Sequence, residues 1–311
     1  MKRTQIAALL VFVLVGCEGV PSSERSTEPI RVLGAQFRPG ELPTGEATSE
    51  VTAIELSNSI IASNQGGRTL RGRISPDGYA IGLRFLGLGS GYWVQPVQGP
   101  DPTVNNELVW DLAVEFGRDI PAGMQTLSFV AFDANGVAGP IRELKVCVLP
   151  PWPDNLNACD PTIRPPDRIV ELEWSSDVDL DLLVRTPSGK VVSAKNPSTL
   201  TKGEGLPGET DPTTEGVFQR DSNAECQIDS IRREFVVWQT APSAGSYPVF
   251  VNLFESCGKP QAHFTLRVLR SVENEDGTFG MEVEEVREGQ LIALQANGGA
   301  NIGTFITNLR F

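Results

Sequence analysis

Apolar side chains recur at every second position along most of this chain. Ile81, Leu83 and Phe85 alternate with small or polar neighbours. Leu108, Trp110, Leu112, Val114 and Phe116 form a longer run, with Asp111 and Glu115 turned the other way. Leu127, Phe129 and Ala131 continue the pattern, as do Leu144, Val146 and Val148. It returns at Leu172 and Trp174, then at Val178, Leu180, Leu182 and Val184, at Tyr247, Val249, Val251 and Leu253, and at Phe264, Leu266 and Val268. Runs of period two bounded by Gly, Pro and Asn predict half-buried strands. The tail, 279–311, predicts three further short strands. Helical periodicity is scarce. Residues 50–62 are the one candidate for a short helix, and β-branched Val51, Thr52 and Ile54 weigh against it.

Punctuation divides the pattern. The chain has 311 residues, 31 of them Gly and 23 Pro, as suits many short strands joined by turns. Its length predicts about two domains. Residues 150–167 hold six prolines, which exclude a helix or a central strand and predict a stiff, extended linker. The fold expected is all-β: one β-sandwich over 30–149 and a second over 168–311. Residues 198–217, rich in Gly, Pro, Thr and Glu, are read as a long loop.

Local motifs give the sandwiches a family likeness. In the first, Pro121-Ala-Gly feeds a strand ending Ala131-Phe-Asp133, and Asn135-Gly136 offers positive-φ residues for a tight hairpin. This resembles the end of an immunoglobulin-like domain of bacterial surface proteins. The second contains Trp174-Ser-Ser-Asp-Val-Asp-Leu-Asp-Leu-Leu-Val184, Pro187-Ser-Gly189 and Arg220-Asp-Ser-Asn-Ala-Glu-Cys226. Pro242-Ser-Ala-Gly-Ser-Tyr247 and Val249-Phe-Val-Asn-Leu-Phe254 follow. That order resembles an uncharacterised β-sandwich domain of exported bacterial proteins, similar to the jelly-roll-like pre-peptidase C-terminal domain of secreted enzymes. The resemblance implies an accessory or binding role and carries over no catalytic residue.

The N-terminus follows a different rule. Basic Met1-Lys-Arg3 precedes an uncharged apolar run, Ile6–Val15, and then Leu14-Val-Gly-Cys17. The run falls short of the ~20 residues that a membrane span needs, and the three-part pattern fits a secretory signal. Leu-Val-Gly-Cys resembles the lipobox of bacterial lipoproteins. This implies cleavage after residue 16, acylation (palmitate-type) of Cys17, and a membrane partner reached through the lipid. Residues 17–29, polar and proline-punctuated, then form a tether. Glu18 is not the aspartate that retains lipoproteins in the inner membrane of enteric bacteria, so the resemblance implies the outer membrane of the cell envelope.

Charge narrows the partners. The 26 basic and 39 acidic residues give a net charge of −13, and losing Lys2 and Arg3 with the signal takes it to −15. Such acidity argues against nucleic acid. No Gly-rich phosphate loop opens a helix, which argues against nucleotides. In an exported chain the remaining cysteines predict disulfides. Of three possible pairings, Cys147–Cys159 and Cys226–Cys257 keep each bridge within or beside one domain, and the first is expected to pin half of the linker against the first sandwich. With one histidine and no Cys-x-x-Cys, zinc is disfavoured.

Few residues suggest chemistry. Asp177, Asp179 and Asp181, at alternate positions of one predicted strand, project from one face. Calcium, a hard cation taking six to eight oxygens, would neutralise them, with Asp221, Asn223 or Glu225 completing a shell. The bland alternative is a solvated outer face, and no other cofactor is implied. His263, the one histidine, sits on the polar side of a strand and is expected to be an exposed structural residue. Trp93 and Trp152 are the tryptophans least clearly buried, and an exposed ring would serve as a platform for a glycan or an envelope protein. Trp110, Trp174 and Trp238 are expected in the cores. The functional expectation is a non-catalytic binding or structural role at the cell envelope. The alternatives are a carboxylate-dependent glycan hydrolase, with two carboxyls across a deep pocket, and a plain spacer.

Overall fold

The computed structural model describes residues 28–62, 65–198 and 216–311. The signal peptide, Cys17, most of the tether and residues 199–215 of the long loop lie outside them. The described chain is all-β. It has no α-helix, only two 3₁₀ turns at Ala224–Cys226 and Ala293–Gln295, and no helix long and apolar enough to cross a membrane.

Two compact units share the chain. One carries described residues 28–56, 65–120 and 127–144. The other carries Ser57–Ser63, Pro121–Thr126 and Lys145–Phe311. The strands up to residue 149 are β1 (Ile30–Val32), β2 (Gln36–Pro39), β3 (Val51–Glu55), β4 (Ile60–Ala62), β5 (Arg68–Ile74), β6 (Gly78–Phe85), β7 (Gly91–Pro96), β8 (Gly99–Pro100), β9 (Leu108–Phe116), β10 (Gly123–Asp133) and β11 (Ala138–Leu149). They form two sheets, β1-β9-β5-β3 with β8 beside β9, and β2-β7-β6-β10-β11-β4. Val51–Glu55 is thus a strand and not the start of a helix, as its β-branched residues favour. The alternation of β9 is realised as read: Trp110, Leu112, Val114 and Phe116 are buried. On its wet face Asp111 and Glu115 meet cross-strand Arg71 and Arg31 at 2.8 and 3.3 Å.

The second sheet departs from the half-buried expectation. Residues 80–85 of β6 are buried on both faces, because Leu42, Tyr92, Val94, Phe132 and Ala138 pack over its outer side. A Cβ added at Gly82 would come within 2.8 Å of the Phe132 ring, so only glycine allows this approach. The turn after β10 is held by the Asp133 carboxylate, which accepts the N–H groups of Asn135 and Val137 at 2.9 and 2.8 Å. Of the Asn135-Gly136 pair, only Gly136 takes a positive φ, 77°.

The later strands are β12 (Arg168–Trp174), β13 (Asp179–Arg185), β14 (Val191–Val192), β15 (Val217–Gln219), β16 (Arg233–Trp238), β17 (Ser246–Glu255), β18 (Gln261–Glu273), β19 (Phe279–Ile292) and β20 (Thr304–Arg310). They form the sheets β15-β16-β12-β18-β19 and β14-β13-β17-β20. Val170, Leu172, Trp174, Val236, Trp238, Phe264 and Leu266 of one sheet meet Leu180, Leu182, Val184, Tyr247, Val249, Val251 and Leu309 of the other in a single core. The three short strands expected in the tail are two. The 14-residue β19 pairs with β18 from Gln261↔Ile292 to Glu273↔Phe279. Being an edge strand with mostly exposed side chains, it carries no apolar alternation to announce it.

The proline-rich segment is also corrected. Residues 150–167 are not an extended linker but a series of turns. Asn157 Nδ2 donates to the carbonyls of Ile163 and Phe279 at 2.8 and 2.9 Å, and the Phe279 N–H donates to Pro161 O at 2.7 Å. The bridge Cys147–Cys159 forms, with Cα atoms 5.4 Å apart. It joins the end of β11 to the proline-rich segment.

On the outer face of β12, Glu171 is fully buried between Arg233 and Arg267, at 3.3 and 3.1 Å. Burial pushes its carboxyl up, and the two guanidinium groups oppose that rise. Removing one partner of a buried pair leaves charge uncompensated. Arg267→Met is therefore expected to cost on the order of 3 kcal/mol in urea unfolding. Unchanged stability would mean that Glu171 does not depend on this pair.

Candidate cation centre

β13 opens at Asp179, in register with Glu255 of β17, and a bulge follows before Leu180 pairs with Leu253. Leu180, Leu182 and Val184 turn into the core, which leaves Asp181 on the opposite face. Asp177 precedes the strand and does not join that face. Its carboxylate is engaged by Arg232, whose Nε and a terminal nitrogen lie 2.9 and 2.7 Å away. The expected triplet of Asp177, Asp179 and Asp181 is corrected on this point.

Asp221 takes the third place. Asp179, Asp181 and Asp221 each present a carboxylate oxygen, and these oxygens lie within 4.8 Å of one another. They line a cleft of about 410 Å³ together with Lys195, Asn223, Glu225, Asp229 and Phe254. Asp221 is exposed at its mouth, Asp181 half-buried and Asp179 only 2% exposed.

Residues 220–232 build the cover. The Glu225 N–H donates to Asp179 Oδ2 at 2.7 Å, and Asn223 Nδ2 donates to Val178 O at 3.0 Å. Asn223 Oδ1 accepts the Asp229 N–H, and Ser222 Oγ donates to Asp229 Oδ1 at 2.7 Å. Arg220, Asn223, Glu225, Cys226, Ser230 and Arg232 all have φ between 49° and 67°, a region that non-glycine residues occupy at a cost. The bridge Cys226–Cys257 ties this loop to the segment just after β17.

Electrostatically the cleft is crowded. Burial, then the charges of Asp181, Asp221 and Glu255, push the Asp179 carboxyl up to about 7 against the Glu225 N–H. Burial raises Asp181 too, with Asp221 adding to it while Asn252 and Lys195 oppose. Asp221 is raised by burial and by Asp229 and Glu225. Glu234 of β16 joins them from the core side. It is wholly buried, its Oε2 accepts the Leu182 N–H at 2.6 Å, and burial carries its carboxyl well above the ordinary range, with the three aspartates adding to the rise. Sequence reasoning passed over Glu234. Its signal was parity: Glu234, Val236 and Trp238 alternate onto one inward face, and a carboxylate there has no bland reason to be buried.

The other expected site residues fall elsewhere. Trp93 is not an exposed platform. It is 5% exposed, its indole N–H donates to Ile30 O at 2.6 Å, and Phe37 meets it edge-on. Trp152 is half-buried against Ile169, Phe235, Val237 and Leu269 on the outer side of β12-β16-β18, so its ring is used in packing. His263 is exposed. Its ring meets Gln261, and its backbone N–H donates to Ser175 Oγ. Trp110, Trp174 and Trp238 are core residues.

No known protein family matches the chain, and no curated protein matches it in sequence. Among solved structures it is similar to the C-terminal domain of the AgI/II polypeptide BspA of Streptococcus agalactiae, at 10% identity over 77% of this chain and 98% of that one, with a TM-score of 0.22. The major pilin subunit BcpA of Bacillus cereus aligns at 12% identity over 80% and 68%, with a TM-score of 0.19. Dimeric latent PorU of Porphyromonas gingivalis aligns at 10% identity over 88% and 21%, with a TM-score of 0.19.

The raised carboxyls set a pH dependence. A group whose folded pKa lies above its unfolded value contributes stability below the unfolded pKa and loses it as pH rises through the folded one. For Asp179 that window runs from about 4 to about 7, and Glu234, whose carboxyl burial also raises, acts in the same direction. In a chelating buffer, melting of the second unit should therefore move to lower temperature between pH 5 and pH 8. Glu234→Gln should flatten the trend. A melting temperature that rises across this range would contradict the electrostatics described.

Proposed function

We propose that this is an exported protein of the bacterial cell envelope with a non-catalytic binding or structural role, held on a membrane by lipid on Cys17. The observation that carries the proposal is the pair of disulfides, Cys147–Cys159 and Cys226–Cys257. Such bridges persist in oxidising compartments outside the cytosol, where a lipobox-type leader would deliver the chain. Its partner is an envelope protein or a glycan, and the outer membrane is the proposed address.

The hydrolase alternative fares less well on geometry. Glycosidase carboxyls flank a bond from either side, about 5–5.5 Å apart in retaining enzymes and about 6.5–9.5 Å in inverting ones. Here the carboxylates converge on one point rather than facing each other across a gap. Asp179 is too deeply covered to touch a sugar.

Two acyl chains anchor a protein stably where one binds only marginally. The wild-type protein should therefore partition into the detergent phase of a membrane extract and yield an acylated N-terminal peptide beginning at Cys17. Cys17→Ser should stay unprocessed or be released in soluble form. Wild-type protein found wholly in the aqueous phase would reject the anchor.

A further inference from the structure

We propose that Asp179, Asp181 and Asp221 form a binding site for one calcium-type divalent cation, which clamps the 220–232 loop onto the start of β13. Carboxylate oxygens within 4.8 Å of one another suit a single ion with metal–oxygen distances of about 2.3–2.6 Å. Acidic clusters alone are common on surfaces. A separate observation distinguishes this one.

Asp179 is 2% exposed, yet its Oδ1 has no hydrogen-bond partner, while Oδ2 is taken by the Glu225 N–H. A buried carboxylate oxygen without a partner is costly, and native structures rarely keep one without an ion, a water or a proton to satisfy it. This oxygen belongs to the side chain that lines the cleft beside Asp181 and Asp221. Behind it, the wholly buried Glu234 also keeps one oxygen, Oε1, without a partner. Lys195 is the nearby cation, but its ammonium lies 5.8 Å from the Phe254 ring and 3.5 Å from Gly299 O at the rim. It offsets the charge of Asp181 without occupying the point where the three carboxylates meet.

The donor set selects the ion. It consists of oxygen alone, with no histidine or free thiol in the cleft, and so favours hard cations over zinc or copper. Magnesium requires near-octahedral geometry at about 2.0–2.1 Å and keeps most of its waters. Calcium accepts an irregular set of carboxylates completed by water, which the exposed side of Asp221 admits. Three charged ligands in an exported module place the affinity at about 0.1–1 mM.

The inference does not rest on the lipid anchor, and it can fail or stand separately. The test uses the full mature chain, stripped with chelator and then titrated calorimetrically with CaCl₂ and, in a second arm, MgCl₂. The expected result is one saturable calcium site, weaker magnesium binding, and a calcium-dependent rise of several degrees in melting temperature. Asp221→Asn, at an exposed position, should fold as the wild type and lose at least tenfold in calcium affinity. Glu288→Gln, on the exposed edge strand β19 and outside the cleft, should keep wild-type affinity. Absence of saturable calcium binding up to 10 mM would overturn the site. So would an Asp221→Asn chain that binds like the wild type, or a Glu288→Gln chain that loses as much as Asp221→Asn. Magnesium binding as tightly as calcium would overturn the choice of ion.

Discussion

The second sandwich is organised around one electrostatic constraint: Asp179, at the start of a core strand, is covered by protein while two other carboxylates lie against it. Like charges at such separations favour protonation or neutralisation by a cation, and burial strengthens that preference. The surrounding chain is arranged to hold the cluster together. The loop over it takes six left-handed backbone conformations without a single glycine. Strain of this kind persists only where its surroundings over-determine the geometry. Here they do: hydrogen bonds from Glu225 and Asn223 fix the loop to β13, Arg232 fixes its far end to Asp177, and Cys226–Cys257 fixes its middle to the end of β17.

The disulfide and the acidic cleft are therefore parts of one device. The bridge closes a span of 31 residues that runs through β16 and β17. Such a cross-link chiefly limits the freedom of the unfolded chain. In the folded chain it also keeps the loop from lifting away from charges that repel it. Asn223 contributes in the same way. Its amide nitrogen satisfies Val178 O at the strand entry while its amide oxygen orders Asp229, so one buried side chain sets both sides of the cleft.

Much of the fold was legible because it depends on alternation. β9 shows Trp110, Leu112, Val114 and Phe116 on one side and ion-paired Asp111 and Glu115 on the other, and a single wet face leaves that mark in sequence. The pattern misleads where a sheet is covered twice. β6 and β10 looked half-buried because Gly82 and Ala80 are small, yet smallness is what lets Phe132 and Leu42 pack over them. It also fails at edges. β19 is held by the backbone ladder to β18, which places little demand on its side chains. Residues 150–167 read as a linker because proline forbids regular structure. Proline does not forbid packing, and Trp152 and Asn157 pack well.

The candidate site divides along the same line. Spacing within one strand pointed to Asp179 and Asp181 but overreached by one step, because alternation is informative only while the strand lasts and β13 starts at Asp179. Asp177, two residues earlier, has left the ladder and is free to meet Arg232. Asp221 lies 40 residues beyond Asp181, and its approach depends on how the loop folds back, which no local pattern encodes. Glu234 is the opposite case. Its parity within Arg233–Trp238 is plain in the sequence, and an inward-facing carboxylate in such a run asks for a partner. One of its oxygens finds the Leu182 N–H, on the very strand that carries Asp179 and Asp181. A single buried glutamate thus links the two sheets at the depth of the acidic cleft, and it is the clearest sign in the sequence that this end of the sandwich is built for charge.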